Sequence, residues 1–305
     1  MKSKYRADLH FHPSFMDPQG LPMKTEKTAP SLRAVVEKAY EKGLNIVTIT
    51  SCDNAVAVDP RWDAYRGDTL IVPGFKVAYK GKNEIGYVDP DGGELHIVHG
   101  RELKTDKGDM NVLFSQRKIP LKASSSDPEL LDFDYTLQGT LDSGDKPLIL
   151  MSAGQNLGLK RKEIIDLYDD CKIDGLEAWD GMDSERNNED NIVYAKGMGV
   201  PAAVVSDGHD LASLGVAGMS FNLDVEGRGK ARFLDMSDKL VDKLREGDFN
   251  AWFGVCSPTS KALYKVRFFE HVTRQRIDEG REGVKRLKEA GKEFKKKLDG
   301  LFSRS

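Results

Sequence analysis

The feature that most constrains the fold is an alternation of element types between residues 147 and 205. Short apolar or β-branched runs at 147–151, 173–179 and 201–205 are separated by helix-prone segments at 161–170 and 183–198. The first half repeats the pattern more loosely. A strand at 5–11 is followed by a helix at 31–42, with Ser31 as its N-cap and Gly43 as its C-cap. A β-branched run at 45–50 reads as a buried strand, with further strands at 69–79 and 94–99. Strand–helix alternation implies a mainly parallel sheet, open or closed into a barrel.

Folds of this class place their chemistry at the carboxyl ends of strands. His10, His12, Asp53, His99, Ser152, Trp179, Asp207 and His209 all fall at such ends. Alternate residues of a strand share a face, so His10 and His12 can aim two imidazoles at one point. Asp207 and His209, spaced by Gly208, do the same with a carboxylate and an imidazole, and Gly208 would let the backbone pass close to a bound group. Imidazole with carboxylate suits Zn, Mn or Fe. Singly, His96 and His271 read as ordinary core or surface residues.

Other classes are disfavoured. A net charge of −3 on 305 residues argues against wholesale nucleic-acid binding. Cys52, Cys171 and Cys256 are odd in number and in no paired motif, which points to a reducing compartment. No apolar run is long enough for a secretory signal or a membrane span, so the expected localisation is cytoplasmic, away from membranes. The run 89–93 (Asp-Pro-Asp-Gly-Gly) reads as a hairpin turn rather than a phosphate loop. Glu177 reads either as hydrogen-bonding support for a metal ligand or as an ordinary satisfied carboxylate.

Two regions break the alternation. Residues 105–146, rich in Ser, Asp and Lys, read as a loop with a short helix, an insertion or lid within a barrel domain spanning 1–255. Residues 256–305 form a basic, helix-prone C-terminal extension. Val284, Leu287, Phe294, Leu298 and Leu301 make one side of it apolar, which suits packing on the barrel or on a second copy in a homo-oligomer, and a basic helix for nucleic acid or a membrane surface is the less favoured alternative.

The stretch 7–14 (Ala-Asp-Leu-His-Phe-His-Pro-Ser) resembles the first motif of the PHP (polymerase and histidinol phosphatase) superfamily, and 205–215 resembles its last. The resemblance covers about residues 5–225. It implies a distorted (β/α)7-type barrel with up to three metals at the carboxyl ends of its strands. It also implies hydrolysis of phosphate esters, small-molecule or nucleotide, by a metal-activated water.

The departures from the family pattern are specific. Cys52 stands where a ligand histidine is expected, Lys76 where a metal-bridging glutamate follows Pro73-Gly74, and Ser152 where another histidine belongs. By the resemblance, a first site keeps His10, His12 and Asp207. A second keeps only His99, and a third keeps His209 and Asp17 with Cys52 in place of histidine. One or two divalent ions are therefore expected rather than three. His209 or Asp53 would move protons. Lys76 would swing out to solvent, sit as a neutral amine, or hold a phosphate with Arg101. The alternatives are a degenerate relative that binds a ligand or partner without turnover, and a metal-dependent hydrolase or lyase acting on something other than phosphate.

Overall fold

A computed structural model describes residues 3–12, 30–53, 62, 72–89, 91–143, 146–153, 157–258 and 260–261. The expected C-terminal helices, beyond 261, and Asp17 lie outside the described residues. In chain order the elements are β1 (Ser3–Phe11), α1 (Leu32–Glu41), β2 (Ile46–Asp53), β3 (Lys76–Lys80), β4 (Glu84–Val88), β5 (Glu94–Thr105) and β6 (Gly108–Leu113). Then come α2 (Phe133–Leu141), β7 (Leu148–Ser152), α3 (Arg161–Asp169), β8 (Gly175–Asp180) and α4 (Glu185–Met198). The series ends with β9 (Ala202–Val205), β10 (Gly218–Leu223), α5 (Gly229–Arg245) and β11 (Asn250–Trp252).

Local chemistry explains the first elements. The Ser31 side chain accepts a hydrogen bond from the Ala34 backbone N–H at 3.2 Å, capping α1 as its position suggests. Leu32, Val35, Val36 and Ala39 fall at helical spacing and are buried. β2 is buried along all eight residues, as its β-branched run requires of a strand covered on both faces. The β4–β5 connection is a tight turn in which the Asp89 carboxylate accepts from the N–H groups of Asp91 and Gly93.

The strands form one sheet in the order β11-β10-β1-β2-β5-β6-β7-β8-β9, with β3 and β4 branching from the lower part of β5. β1–β2, β2–β5, β7–β8 and β8–β9 pair in parallel. The sheet curls into a nearly closed barrel. Its seam, between β1 and β9, carries among the described residues one parallel bridge, from Phe11 to Gly208, with the His12 N–H to Gly208 carbonyl bond at 2.8 Å and the bonds of Ser206 to Asp8 and to the His10 carbonyl.

Residues 105–146 depart from the expected insertion or lid. β6 lies inside the barrel wall, antiparallel to both β5 and β7, and α2 packs outside it. Its alternation was hidden because Asp109 and Asn111 face inward, toward a polar interior, where the expected signature is apolar.

Tyr5, Ala7, Ile46, Val98, Leu113, Leu148 and Leu150 fill the barrel together with Phe233, Met236 and Leu240 of α5. Phe233 packs near His96, at the start of β5, so α5 closes the amino-terminal end. α1 covers the outside of β1, β2 and β5, and α2 to α4 cover the outside of β6 to β8. Among the described residues, no helix is long and apolar enough to cross a membrane.

Candidate metal centre

A β-bulge aims the first two histidines. Ala7 pairs with Ile46, and both belong to the inner core. Phe11 pairs with Ile49, and both belong to the outer cluster under α1. The register shift between Asp8 and Phe11 reverses the strand alternation, so His10 and His12 face the interior. A second shift on β8, between Glu177 and Trp179, lets both Glu177 and Asp180 face the same cavity.

Three donor atoms converge there. His10 Nε2 and His12 Nε2 are 2.8 Å apart. Asp207 Oδ1 lies 3.4 Å from the first and 3.3 Å from the second. Glu102 Oε2 lies 3.5 Å from His12 Nε2. Zinc-type bonds of about 2.0–2.1 Å at tetrahedral angles place donors about 3.3 Å apart. The oxygen distances match that spacing, and the two nitrogens need to part by about half an ångström.

The other ring nitrogens fix the tautomers. His10 Nδ1 is 3.0 Å from both oxygens of Glu177, and His12 Nδ1 is 3.0 Å from the Thr50 carbonyl. Both contacts are to acceptors, so each ring carries its proton on Nδ1 and turns an Nε2 lone pair inward. Two lone pairs facing at 2.8 Å repel unless a cation lies between them. The donor set therefore fits a divalent metal. Without one, a proton takes its place: burial opposes the charged form of His10, but Glu177 and Asp207 outweigh it and raise the pKa well above the usual value.

The centre opens on a cavity of about 350 Å³. Its wall carries six carboxylates, from Glu102, Asp109, Glu177, Asp180, Asp183 and Asp207, and one ammonium, from Lys104. Burial raises the Asp207 carboxyl to about 7, with Glu102 and Glu177 adding to the shift and His10 opposing it. Asp180 is raised well above the carboxylate range by burial and then by Asp207 and Glu177. Glu102 is held low despite its burial by Lys104, His12 and His10. Crowded buried carboxylates of this kind favour bound cations.

The remaining expected site residues scatter. His209 stacks on His12, with centroids 4.8 Å apart, and its Nε2 is 3.7 Å from Asp207 Oδ1, so it flanks the donor set. His99 lies three residues before Glu102 on β5, so alternation turns it to the outer face. There it meets Ser51 Oγ at 2.9 Å and stacks on Trp62, and burial lowers its pKa to about 3. Asp53, expected to move protons, is buried on that same face in an ion pair with Arg101 at 2.5 Å. Cys52 does face inward, but burial and then Glu102 push its thiol up, so it stands as a protonated neighbour outside the donor set.

Lys76 takes the first of its three expected options. It is exposed on the β3–β4 hairpin, paired with Val88 and, through β4, level with Glu94. Eight residues of β5 separate that level from Glu102, about 26 Å of strand. Ser152 lines the cavity beside Glu177. Gly208 serves packing rather than a ligand: a Cβ there would meet Ser213 Oγ at 2.5 Å. Asp207, just before it, adopts φ 43°, a conformation uncommon outside glycine and found at functional sites.

Glu102, Lys104, Asp109, Asn111 and Asp180 escaped the sequence reading. Glu102 and Lys104 continue the inward-facing series Val98, Gly100 of β5, so extending that strand past His99 would have found them.

No protein-family model matches the chain, and no curated protein matches it. Among solved structures it is similar to PsfC from Pseudomonas syringae, with a TM-score of 0.55 and 14% identity over 87% of this chain and 98% of that one. It also matches the lesion-specific endonuclease PfuEndoQ from Pyrococcus furiosus at a TM-score of 0.45 and 16% identity, covering 78% of this chain and 56% of that one. A Bifidobacterium adolescentis protein classed as a metal-dependent phosphoesterase matches at 0.39 and 14%, covering 67% and 87%. Identities this low speak to fold alone. At that level the chain shares a mixed α/β, nearly closed barrel-like fold with PsfC.

Proposed function

We propose that the chain is a metal-dependent hydrolase of phosphate esters, small-molecule or nucleotide, with its ion on His10, His12 and Asp207 and Glu102 alongside. The convergence of three donor atoms within 4.8 Å, with both histidine Nδ1 atoms held by acceptors, carries this reading. Two imidazoles and one or two carboxylates suit Zn, Mn or Fe. Such an ion supplies Lewis-acid polarisation of an ester oxygen and acidifies a water molecule.

The chain's own groups do the rest. Glu177 and the Thr50 carbonyl orient the two imidazoles. His209, with Nε2 3.7 Å from Asp207 Oδ1, is placed to exchange a proton with the reacting water or leaving group. The six cavity carboxylates repel a free phosphate, so substrate entry depends on cations already in place. The three free thiols are consistent with a cytoplasmic setting.

A second reading, binding without turnover, is favoured by the outward placement of His99 and Asp53, which leaves one compact donor set among the described residues where the family resemblance implies up to three. Metal analysis of the purified protein and an aryl-phosphate assay with added manganese separate the two. Tight binding of at least one ion, with turnover lost in His12→Ala, supports the hydrolase. Tight binding with no turnover supports the second reading, and less than one ion per chain removes both.

A further inference from the structure

We propose that the Lys104 ammonium occupies the position of a second cation, so that this centre holds one metal ion and one lysine bridged by Glu102. The inference rests on the metal reading of His10, His12 and Asp207. It follows from how Glu102 divides its two oxygens. Oε2 faces the donor set, 3.5 Å from His12 Nε2. Oε1 accepts from Lys104 Nζ at 2.8 Å. One carboxylate thus spans the metal position and the ammonium, as a bridging carboxylate spans two metals.

The second side of the niche is closed by Asp109. Register places it directly across from Lys104 on the adjacent antiparallel strand, and its Oδ2 accepts from Nζ at 2.7 Å. An ammonium held between two carboxylates at these distances fills the volume and satisfies the charge that a second ion would need. A divalent ion entering the same niche would meet a fixed positive charge, with Glu102 Oε1 and Asp109 Oδ2 already taken by the ammonium. Lys104 is also the one lysine or arginine among the described residues lining the cavity. Its side chain is 30% exposed, so the ammonium borders the open space rather than being sealed behind it. Two of its three donors are used by Glu102 and Asp109, and no described residue takes the third. That N–H is available to an anionic substrate oxygen, the contact a second metal would otherwise make.

The test uses the full-length protein, stripped of metal and titrated with Mn²⁺, with ions per chain counted by elemental analysis and the site read by electron paramagnetic resonance. The wild type is expected to bind one tight ion with the six-line spectrum of an isolated Mn²⁺. Lys104→Met, which keeps the length and removes the charge, is expected to bind a second ion and show an exchange-broadened spectrum. Lys104→Arg is expected to stay at one. Two coupled ions in the wild type would overturn the proposal, as would a folded Lys104→Met protein that still binds one. If Lys104→Met does not fold, the wild-type count and spectrum decide alone. A wild type that binds no ion overturns the metal reading itself, and with it this proposal; a count of two overturns only the assignment of Lys104.

Discussion

Glu177→Gln isolates what the buried carboxylate does for the metal. His10 Nδ1 lies 3.0 Å from both Glu177 oxygens. Adding the width of the imidazole and a bond of about 2.0 Å puts the carboxylate charge roughly 7 Å from the doubly charged ion. With an effective dielectric constant between about 20 and 80, that attraction is about 1–5 kcal/mol. Hydrogen bonds need not be lost in the variant. The glutamine oxygen can still accept from His10 Nδ1–H. The Asn111 amide, which now donates to Glu177 Oε2 at 2.7 Å, can turn over and present its Oδ1, an atom that is buried without a partner. The change therefore removes charge and little else. Partners of this kind typically account for 10–100-fold in metal affinity, about 1.4–2.7 kcal/mol, which sits within the Coulomb range. Competition titration with a chromogenic chelator measures it. Affinity within threefold of wild type would refute the claim that Glu177 tunes His10 as a ligand.

Three further outcomes are expected. Metal affinity falls as pH drops through about 7, because protonating Asp207 removes an anionic donor; the loss from that proton approaches tenfold per pH unit below that point, and a flat profile from pH 8 to 6 would contradict it. Lys76→Ala leaves metal affinity and any turnover within twofold of wild type, since the side chain is exposed and far from the centre; a tenfold loss of either would contradict this placement. Gly208→Ala lowers stability by about 1–3 kcal/mol in thermal or urea unfolding, because its Cβ would come within 2.5 Å of Ser213 Oγ and 2.9 Å of Ser213 Cβ; an unchanged midpoint would mean the loop yields freely.

Much of this architecture was legible in the sequence, for stated physical reasons. Period-two alternation is a strong rule, and it correctly set His10 and His12 on one face. The strand ends carried Asp207 and His209 to the same place. What stayed illegible was parity. The bulge after Asp8 leaves no mark that sequence spacing reveals, yet it decides that His10 and His12 point inward. Conversely, His99 sits on a correctly located strand near the correct end, but three residues from Glu102 means the opposite face. β6 was hidden because a strand lining a polar cavity lacks the apolar alternation that announces one. Lys76 was weighed because it follows Pro73-Gly74, whereas the lysine that borders the cavity, Lys104, lies on the next long strand. In each case the missing information was a register between distant segments.

The barrel seam gives the donor set a second meaning. Among the described residues the backbones at the ends of β1 and β9 meet through one bridge and one hydrogen bond, supplemented by side-chain bonds of Asp8 and Ser206, where every other neighbouring pair in the wall has a ladder. His10 and His12 belong to one lip of that gap, and Asp207 extends from the other. An ion held by all three is thus a clasp across the barrel's weakest joint. Part of its binding free energy is spent drawing the two lips together, so affinity and wall integrity rise and fall as one quantity. Mutations in the neighbouring seam contacts of Asp8 with Ser206 and Gly215 then act on metal retention without replacing a ligand.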